Sequence, residues 1–468
     1  MNPWLHRTLI YSPTLRWRGE HATWSLIDEK RALERLSSAD LERHVATRLS
    51  RLLAHAADVP FYREAWHTPR RITAGNAFAV LGTLPFVSKR DLQERAAAMR
   101  AANIEEPITK KSTGGSTAEP VTVWKNATGM AEERAATWAG LAWSGLRPSD
   151  KVARFWSSPM NAAGKRRFRI ADIVMNRIRL SAFEMDDDAL RRHWERCLRF
   201  QPAWLYGYTS MIDLFAAWIE EHGEDGRALG LQAVVPTSEP LYEAQRERIA
   251  RVFDCTIQNE YGCGEVGAIA YECERGQLHV MADNVVCEVL AEDGSAVGPG
   301  DVGDIVITDL TNLAMPLIRY RLGDRAEVGD PCSCGRSFPT LRRVIGRAYD
   351  EVFTPSGRRW NGWQMHYFLS TLMGEQGGFR QYQVVQDGPE SLDVRLVADS
   401  EVPADVIATI QDFVREKLDG MVARVRRVSA VERSASGKLR VVRNDWLPKA
   451  RSAQAVPSSA GGDADGNR

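Results

Sequence analysis

Between Lys110 and Pro120 the run KKSTGGSTAEP sets glycines among hydroxyl side chains. Glycine lets successive backbone N–H groups turn inward and hydroxyls add donors, so such a loop can cradle phosphate oxygens, or form a plain solvated turn. It is not a GxxxxGK[ST] loop, because no lysine follows the second glycine position. Further on, Asn259–Gly267 reads NEYGCGEVG after VFDCTIQ, which puts Tyr261 and Glu265 at a strand end. Open α/β sheets bind ligands outside the carboxyl ends of their strands, and a carboxylate beside a phosphate loop suits Mg2+, a hard cation that prefers oxygen; the segment is otherwise a surface turn with a solvated Glu265. In Tyr320–Asp324 (YRLGD), Asp324 either accepts the hydroxyls of a ribose or caps its own turn. In Ser434–Arg440 (SASGKLR), Lys438 sits on a short glycine loop, where it is either an exposed turn lysine or a charge that follows one developing on phosphate or carboxylate.

These segments need a scaffold, and 468 residues exceed what one hydrophobic core supports. Apolar positions three and four apart make Leu33–Val59 helical, with Pro60 as its end; Ser88 reads as the N-cap of a later helix. After Ile108 strands alternate with helices: Met130–Gly145, Leu190–Phe200 and Ser210–His222 as helices, Val152–Trp156 and Ala203–Tyr206 as strands. This is the texture of helices packed on a largely parallel sheet. From Leu278 to Val328 short strands with DG and PGD turns form a β-rich part. A compact α+β module follows, with strands at Gln381–Gln386, Leu392–Val397 and Ala423–Val428 and a helix at Ala404–Leu418. The expected divisions are 1–107, a helical part of the large domain; 108–277, an α/β core; 278–345, the β-rich subdomain; 346–450, the α+β domain; and 451–468, a Gly/Ser-rich disordered tail.

Sixty-one Lys+Arg balance sixty-one Asp+Glu, so no global field draws nucleic acid or an anionic membrane. The basic run Lys165–Arg169 (KRRFR) is read as a solvated loop. No stretch has the apolar length of a membrane span or signal peptide, and a cytoplasmic protein is expected. Seven scattered cysteines do not form a disulfide framework, leaving reduced thiols or metal ligands.

Order and spacing together carry more than any one motif. The chain resembles the adenylate-forming superfamily of acyl-CoA synthetases, in the branch of phenylacetate-CoA ligases and CapK-type proteins. The likeness runs from LLAHAADVPFYREAW through TGGSTAEP, PAWLYGYTSMIDLFA, VPTSEPL, NEYGCGEVGAIAYEC, GDIVITDLTNLAMPLIRYRLGD and CSCGRSFPTLRRVIGR to SASGKLR. It implies a large adenylate-forming domain with a small mobile C-terminal domain, and activation of a carboxylic acid with ATP and Mg2+, then transfer to coenzyme A. It implies that Thr113, Gly114, Gly115, Ser116 and Thr117 hold the β- and γ-phosphates, and that Ser238, Glu239, Tyr261 and Gly262 line the nucleotide pocket. It also implies that Glu265 helps bind Mg2+, Asp324 binds ribose, Arg347 contacts ribose or phosphate, and Lys438 stabilises the adenylation transition state. The Gly346–Glu351 step would be the hinge, and Phe155–Asn161, Tyr206–Ser210 and the region of Val235 would line the acyl pocket, if they are not simply core. Similar proteins of this branch hold a structural Zn2+ with ligands such as Cys273, His279, Cys332 and Cys334.

The chain departs from that pattern at Ala118, Glu119, Gly264 and Tyr349, where glycine, lysine, a hydroxyl residue and a charged residue are usual. The departures leave the adenylation set mostly in place and bear chiefly on the thiol-transfer step. Two other readings stay open: transfer to an amine, hydroxyl or carrier-protein acceptor, and a catalytically degenerate scaffold in polysaccharide assembly. Retention of Glu265, Asp324, Arg347 and Lys438 together argues against the scaffold. The particular acid, the acceptor and the oligomeric state are not legible in the sequence.

Overall fold

The computed structural model describes residues 2–66, 71–113, 121–156, 162–181, 187–347, 351–362, 365, 368–369, 372–373, 378–432 and 439–446. Two compact units divide the chain, one running to Gly346 and the second beginning at Arg347.

The helix expected over Leu33–Val59 spans Ser38–Ala56, after a separate helix Thr23–Leu33, with the Ser37 hydroxyl accepting from the Asp40 N–H as its N-cap. Leu41, Val45, Leu49, Leu52, Leu53 and Ala56 are buried, which is the apolar stripe read from the sequence. Pro60 was expected to end this helix and instead opens the next, Pro60–Ala65. The chain leaves the helix at Ala57 before reaching the proline, whose fixed φ and missing N–H suit a first helical position. Ser88 is an N-cap as expected, in a capping box with Asp91.

The large unit is built on a hairpin and a twelve-stranded sheet. The hairpin pairs β1 (Ile108–Thr113) with β2 (Val121–Asn126), so that Thr113 lies opposite Val121. The sheet contains β3 (Val152–Trp156), β4 (Arg177–Ser181), β5 (Trp204–Tyr208), β6 (Ala233–Thr237), β7 (Thr256–Ile257) and β8 (Glu260–Cys263). It continues with β9 (Gly267–Glu272), β10 (Leu278–Val280), β11 (Val285–Leu290), β12 (Val302–Asp309), β13 (Tyr320–Val328) and β14 (Thr340–Arg347). Its order is β11-β12-β13-β14-β10-β9-β8-β6-β5-β3-β4, with β7 also pairing with β6. Strands β4, β3, β5, β6 and β8 run parallel, and from β8 to β9 the pairing turns antiparallel. The β-rich stretch after Leu278 thus extends the parallel half edge to edge within one sheet.

Alternation along β3 and β5 sends Ala153, Phe155 and Leu205 to a core containing the helices Asp187–Phe200, Thr209–Glu221 and Glu243–Phe253. The opposite face, with Val152, Trp204 and Val235, joins a larger core that includes Trp138 of the Ala127–Leu141 helix and the N-terminal helices. The aromatic residues proposed for an acyl pocket divide accordingly: Phe155 and Tyr208 are fully buried, while Trp156 and Tyr206 keep some surface.

The second unit holds a two-stranded pair, β15 (Glu351–Phe353) with β16 (Arg359–Asn361), and a four-stranded sheet. Strands β17 (Gln381–Gln386), β18 (Ser391–Val397), β19 (Val422–Val428) and β20 (Val442–Asn444) pair in the order β19-β18-β17-β20. The Ala404–Lys417 helix places Val406, Ile410 and Val414 in this unit's own core, with Val384, Val394 and Leu396 of the sheet. The three strands and the helix read from the sequence lie within one residue of these bounds.

Candidate active site

Several candidate residues converge where the sheet changes from parallel to antiparallel. Strand β8 is the last parallel strand, and its hairpin with β9 carries a register shift at Tyr261/Gly262. A bulge of this kind re-aims side chains. Close backbone approach requires glycine here: a Cβ on Gly262 would stand 2.6 Å from the Gly267 carbonyl oxygen, and Gly267 itself has φ +108°. The Tyr261 hydroxyl donates to Asp324 Oδ2 at 3.0 Å, joining two motifs 63 residues apart in the chain. Burial first, and then the Asp324 charge, push the Tyr261 phenol well above its usual range. In the turn between β8 and β9, Glu265 accepts a long hydrogen bond from the Tyr320 hydroxyl, at 3.4 Å.

Ser238 follows the carboxyl end of β6 with φ +69°, a left-handed conformation costly for a non-glycine residue and held only where its surroundings over-determine it. Next to it, Glu239 turns its carboxylate to the N-terminus of the Thr209–Glu221 helix, accepting from the Ser210 N–H at 2.8 Å. Thr113 and Arg347 are placed by their backbones as the last residues of β1 and β14. Gly114, Gly115, Ser116, Thr117 and Lys438 lie outside the described residues.

Beneath the β1–β2 hairpin runs an ion network that the motifs did not signal. Lys125 on β2 is fully buried; its ammonium donates to Glu133 at 2.8 Å and to the Val266 carbonyl at 2.5 Å, and it pairs with Asp309 at 3.1 Å. From β1, Lys111 pairs with the same Glu133 at 2.7 Å. Although burial alone would raise the Glu133 pKa, Lys125 and Lys111 outweigh it and hold the carboxyl down to about 2. The hairpin, the Ala127–Leu141 helix and the turn holding Glu265 are thereby cross-linked by charge. Lysine at 125 had a legible context, a lone charge in the strand VTVWKN, but its partners are 8, 141 and 184 positions away.

A second cluster lies where β10 pairs with both β9 and β14. The donor atoms of Cys273, His279, Cys332 and Cys334 all lie within 4.8 Å of one another. Cys273 Sγ is 3.7 Å from Cys332 Sγ, and Cys334 Sγ is 3.2 Å from His279 Nε2. The other ring nitrogen, Nδ1, is 3.0 Å from the Phe338 carbonyl, so it donates its proton there and leaves the Nε2 lone pair facing the sulfurs. Two thiolates bound tetrahedrally at about 2.3 Å would be about 3.8 Å apart, so the donor set and its spacing fit Zn2+.

The fold is the α/β architecture of the adenylate-forming ligases. A solved 2-hydroxyisobutyryl-CoA ligase in the postadenylation state aligns over 90% of this chain and 93% of its own, with TM-score 0.70 at 21% identity. An anthranilate CoA ligase aligns over 75% and 68%, with TM-score 0.53 at 16% identity. In sequence, the chain is homologous to the phenylacetate-CoA ligases and to CapK. It is 26% identical to phenylacetate-coenzyme A ligase of Thermus thermophilus over 68% of this chain and 73% of that protein. It is 24% identical to protein CapK of Staphylococcus aureus over 60% of this chain and 61% of that one. No family model matches the chain.

Proposed function

We propose that this protein is an AMP-forming acid–thiol ligase: a carboxylate attacks the α-phosphorus of ATP, pyrophosphate leaves, and the acyl group of the resulting adenylate passes to coenzyme A with release of AMP. Relatives named phenylacetate-coenzyme A ligase support the class. The observation that carries the reading is the Tyr261–Asp324 hydrogen bond beside Glu265, at the carboxyl edge of the parallel strands. In that arrangement Asp324 receives the ribose hydroxyls and Tyr261 lies beside the base. Glu265, a partly exposed carboxylate, is the Mg2+ ligand, and Mg2+ would supply charge neutralisation on the phosphates. The Thr113–Thr117 loop holds the phosphates, with the buried Lys125 network as its footing, and Lys438 is the cation that meets charge developing between carboxylate and α-phosphate. Attack by a carboxylate needs little proton transfer, so positioning and electrostatics do the catalysis. Cys273, His279, Cys332 and Cys334 hold a structural Zn2+ that ties β9, β10 and the β13–β14 connection together.

Pyrophosphate release over a panel of aryl, fatty and amino acids, with and without coenzyme A, tests the reading. Acid-dependent release together with coenzyme A consumption is expected. Release without coenzyme A consumption would transfer the assignment to another acceptor. No release with any acid would leave a scaffold related to CapK, the relative of that name being what keeps this second reading in view.

A further inference from the structure

On the sheet face that carries Trp156 and Tyr206, three arginines gather from two neighbouring strands. In the parallel register Arg154 of β3 lies opposite Arg179 of β4 on one side and Tyr206 of β5 on the other, and Arg177 lies opposite Val152. Residues 152, 154 and 156 share a face, as do 177 and 179. Arg177 and Arg179 both pair with Asp172. Arg154 has no such partner: no hydrogen bond or ion pair joins its guanidinium to a described residue, and its Nε is shut off from solvent and unbonded. Glu260, the nearest carboxylate in electrostatic terms, is already engaged, accepting from the Tyr206 hydroxyl at 2.7 Å and from Thr237 at 3.1 Å.

What Arg154 does have is aromatic surface. Its guanidinium carbon stands 3.9 Å from the Trp156 ring centre and 5.0 Å from that of Tyr206, and those two rings are stacked within 20° of parallel. Contact with a ring uses none of the guanidinium's N–H donors, whose fork matches a carboxylate in two parallel bonds. A half-buried cation with no acceptor among the described residues is costly, and natural proteins rarely leave one unanswered. Burial above all, then repulsion from Arg177 and Arg179, brings the Arg154 pKa down to about 10, so the group is still cationic at neutral pH. Trp156 ends β3 at the carboxyl edge of the sheet, and Arg154 lies two residues, about 7 Å, deeper.

Building on the adenylation reading, we propose that Arg154 binds a second anionic group at the far end of the acid, so that the substrate is a dicarboxylic acid whose planar body packs against Trp156 and Tyr206. One carboxylate reaches the α-phosphate at the strand ends, and the other meets the Arg154 edge. Trp156 and Tyr206 set the shape of the spacer, and Arg179, opposite Arg154 in register, adds to the positive potential.

The test compares 4-carboxyphenylacetate with phenylacetate in pyrophosphate release, and in calorimetric binding without nucleotide, using the full chain and its Arg154→Met and Arg154→Lys variants. The wild type should favour the dicarboxylate by about ten- to a hundredfold in kcat/KM and in affinity, the scale of a charge-assisted hydrogen bond. Arg154→Met should bring that ratio to one or below, and Arg154→Lys should restore part of it. A wild-type ratio of one or less overturns the proposal, as does an Arg154→Met variant that weakens both acids equally, the mark of a structural arginine. If neither acid releases pyrophosphate, the panel of acids above decides the ligase reading separately; dicarboxylate-selective binding that depends on Arg154 would still uphold the anion site, and unselective or absent binding would overturn it. Should Arg154→Met not fold, the wild-type ratio and Arg154→Lys decide by the same criteria.

Discussion

Tyr261 and Asp324 illustrate what a single hydrogen bond can assign. Each segment alone had a plain explanation, a surface turn and a turn cap, and the 3.0 Å contact between Tyr261 and Asp324 brings the two together. Glu265 stands in the intervening turn, so replacing it should affect nucleotide chemistry without unfolding the sheet. Glu265→Ala and Lys438→Ala are each expected to lower acid-dependent pyrophosphate release by about a hundred- to a thousandfold, the usual cost of removing one charge stabiliser. Unchanged turnover in both, measured with thermal unfolding as a control, would end the adenylation reading. Glu133 permits a pH prediction. Its folded pKa of about 2 lies below the ordinary carboxyl value of 4.5, so it adds stability above the unfolded pKa that is lost as pH falls through the folded one. Between about pH 4.5 and 2, wild-type stability should therefore fall more steeply than that of Glu133→Gln, as read by chemical denaturation at fixed pH values.

At the scale of elements, the β1–β2 hairpin depends on Lys125. Its side chain is 0% exposed and meets Glu133 and Asp309, the latter only 1% exposed. Lys125→Met leaves buried Asp309 without its cation and Glu133 with Lys111 alone, and a loss of about 3–5 kcal/mol in unfolding free energy is expected, on the scale of a broken buried pair. A loss below about 1 kcal/mol would mean that water reaches the network. The Cys/His cluster makes a parallel case for β9, β10 and the β13–β14 connection. Purified protein should contain about one Zn2+ per chain, Cys332→Ser and Cys334→Ser should lower that content, and chelation should lower the melting temperature. Absence of metal with unchanged stability would leave four reduced side chains packed against one another.

For the whole molecule, the described nucleotide-facing candidates Tyr261, Glu265 and Asp324 all belong to the large unit, and the two units have separate hydrophobic cores. If the Gly346–Glu351 step is the hinge, fixing its backbone should separate the two half-reactions. Asp350→Pro is expected to keep acid-dependent pyrophosphate release while cutting thioester formation at least tenfold, since proline fixes φ at the step that must turn. Equal loss of both half-reactions would place the hinge elsewhere.

Local rules made much of this molecule readable from its sequence. Periodicity gave the helices, alternation and turn residues gave the strands, and a serine ahead of a helical stretch gave the Ser88 N-cap, because each depends on neighbours along the chain. Pro60 was misread for the same reason: a proline marks a boundary, but whether it closes one helix or opens the next depends on where the chain has already turned. The candidate nucleotide residues were legible as types in order, since phosphate, ribose and Mg2+ each call for a particular donor or acceptor. Tertiary structure alone decided that β8 ends the parallel half of a continuous sheet, that Lys125 finds Glu133 and Asp309, and that one histidine and three cysteines meet. It alone set Arg154 against Trp156 and Tyr206 with no acceptor among the described residues. Sequence fixes the chemistry a side chain can perform, while desolvation and proximity, which convert that chemistry into a site, exist only once distant segments have packed together.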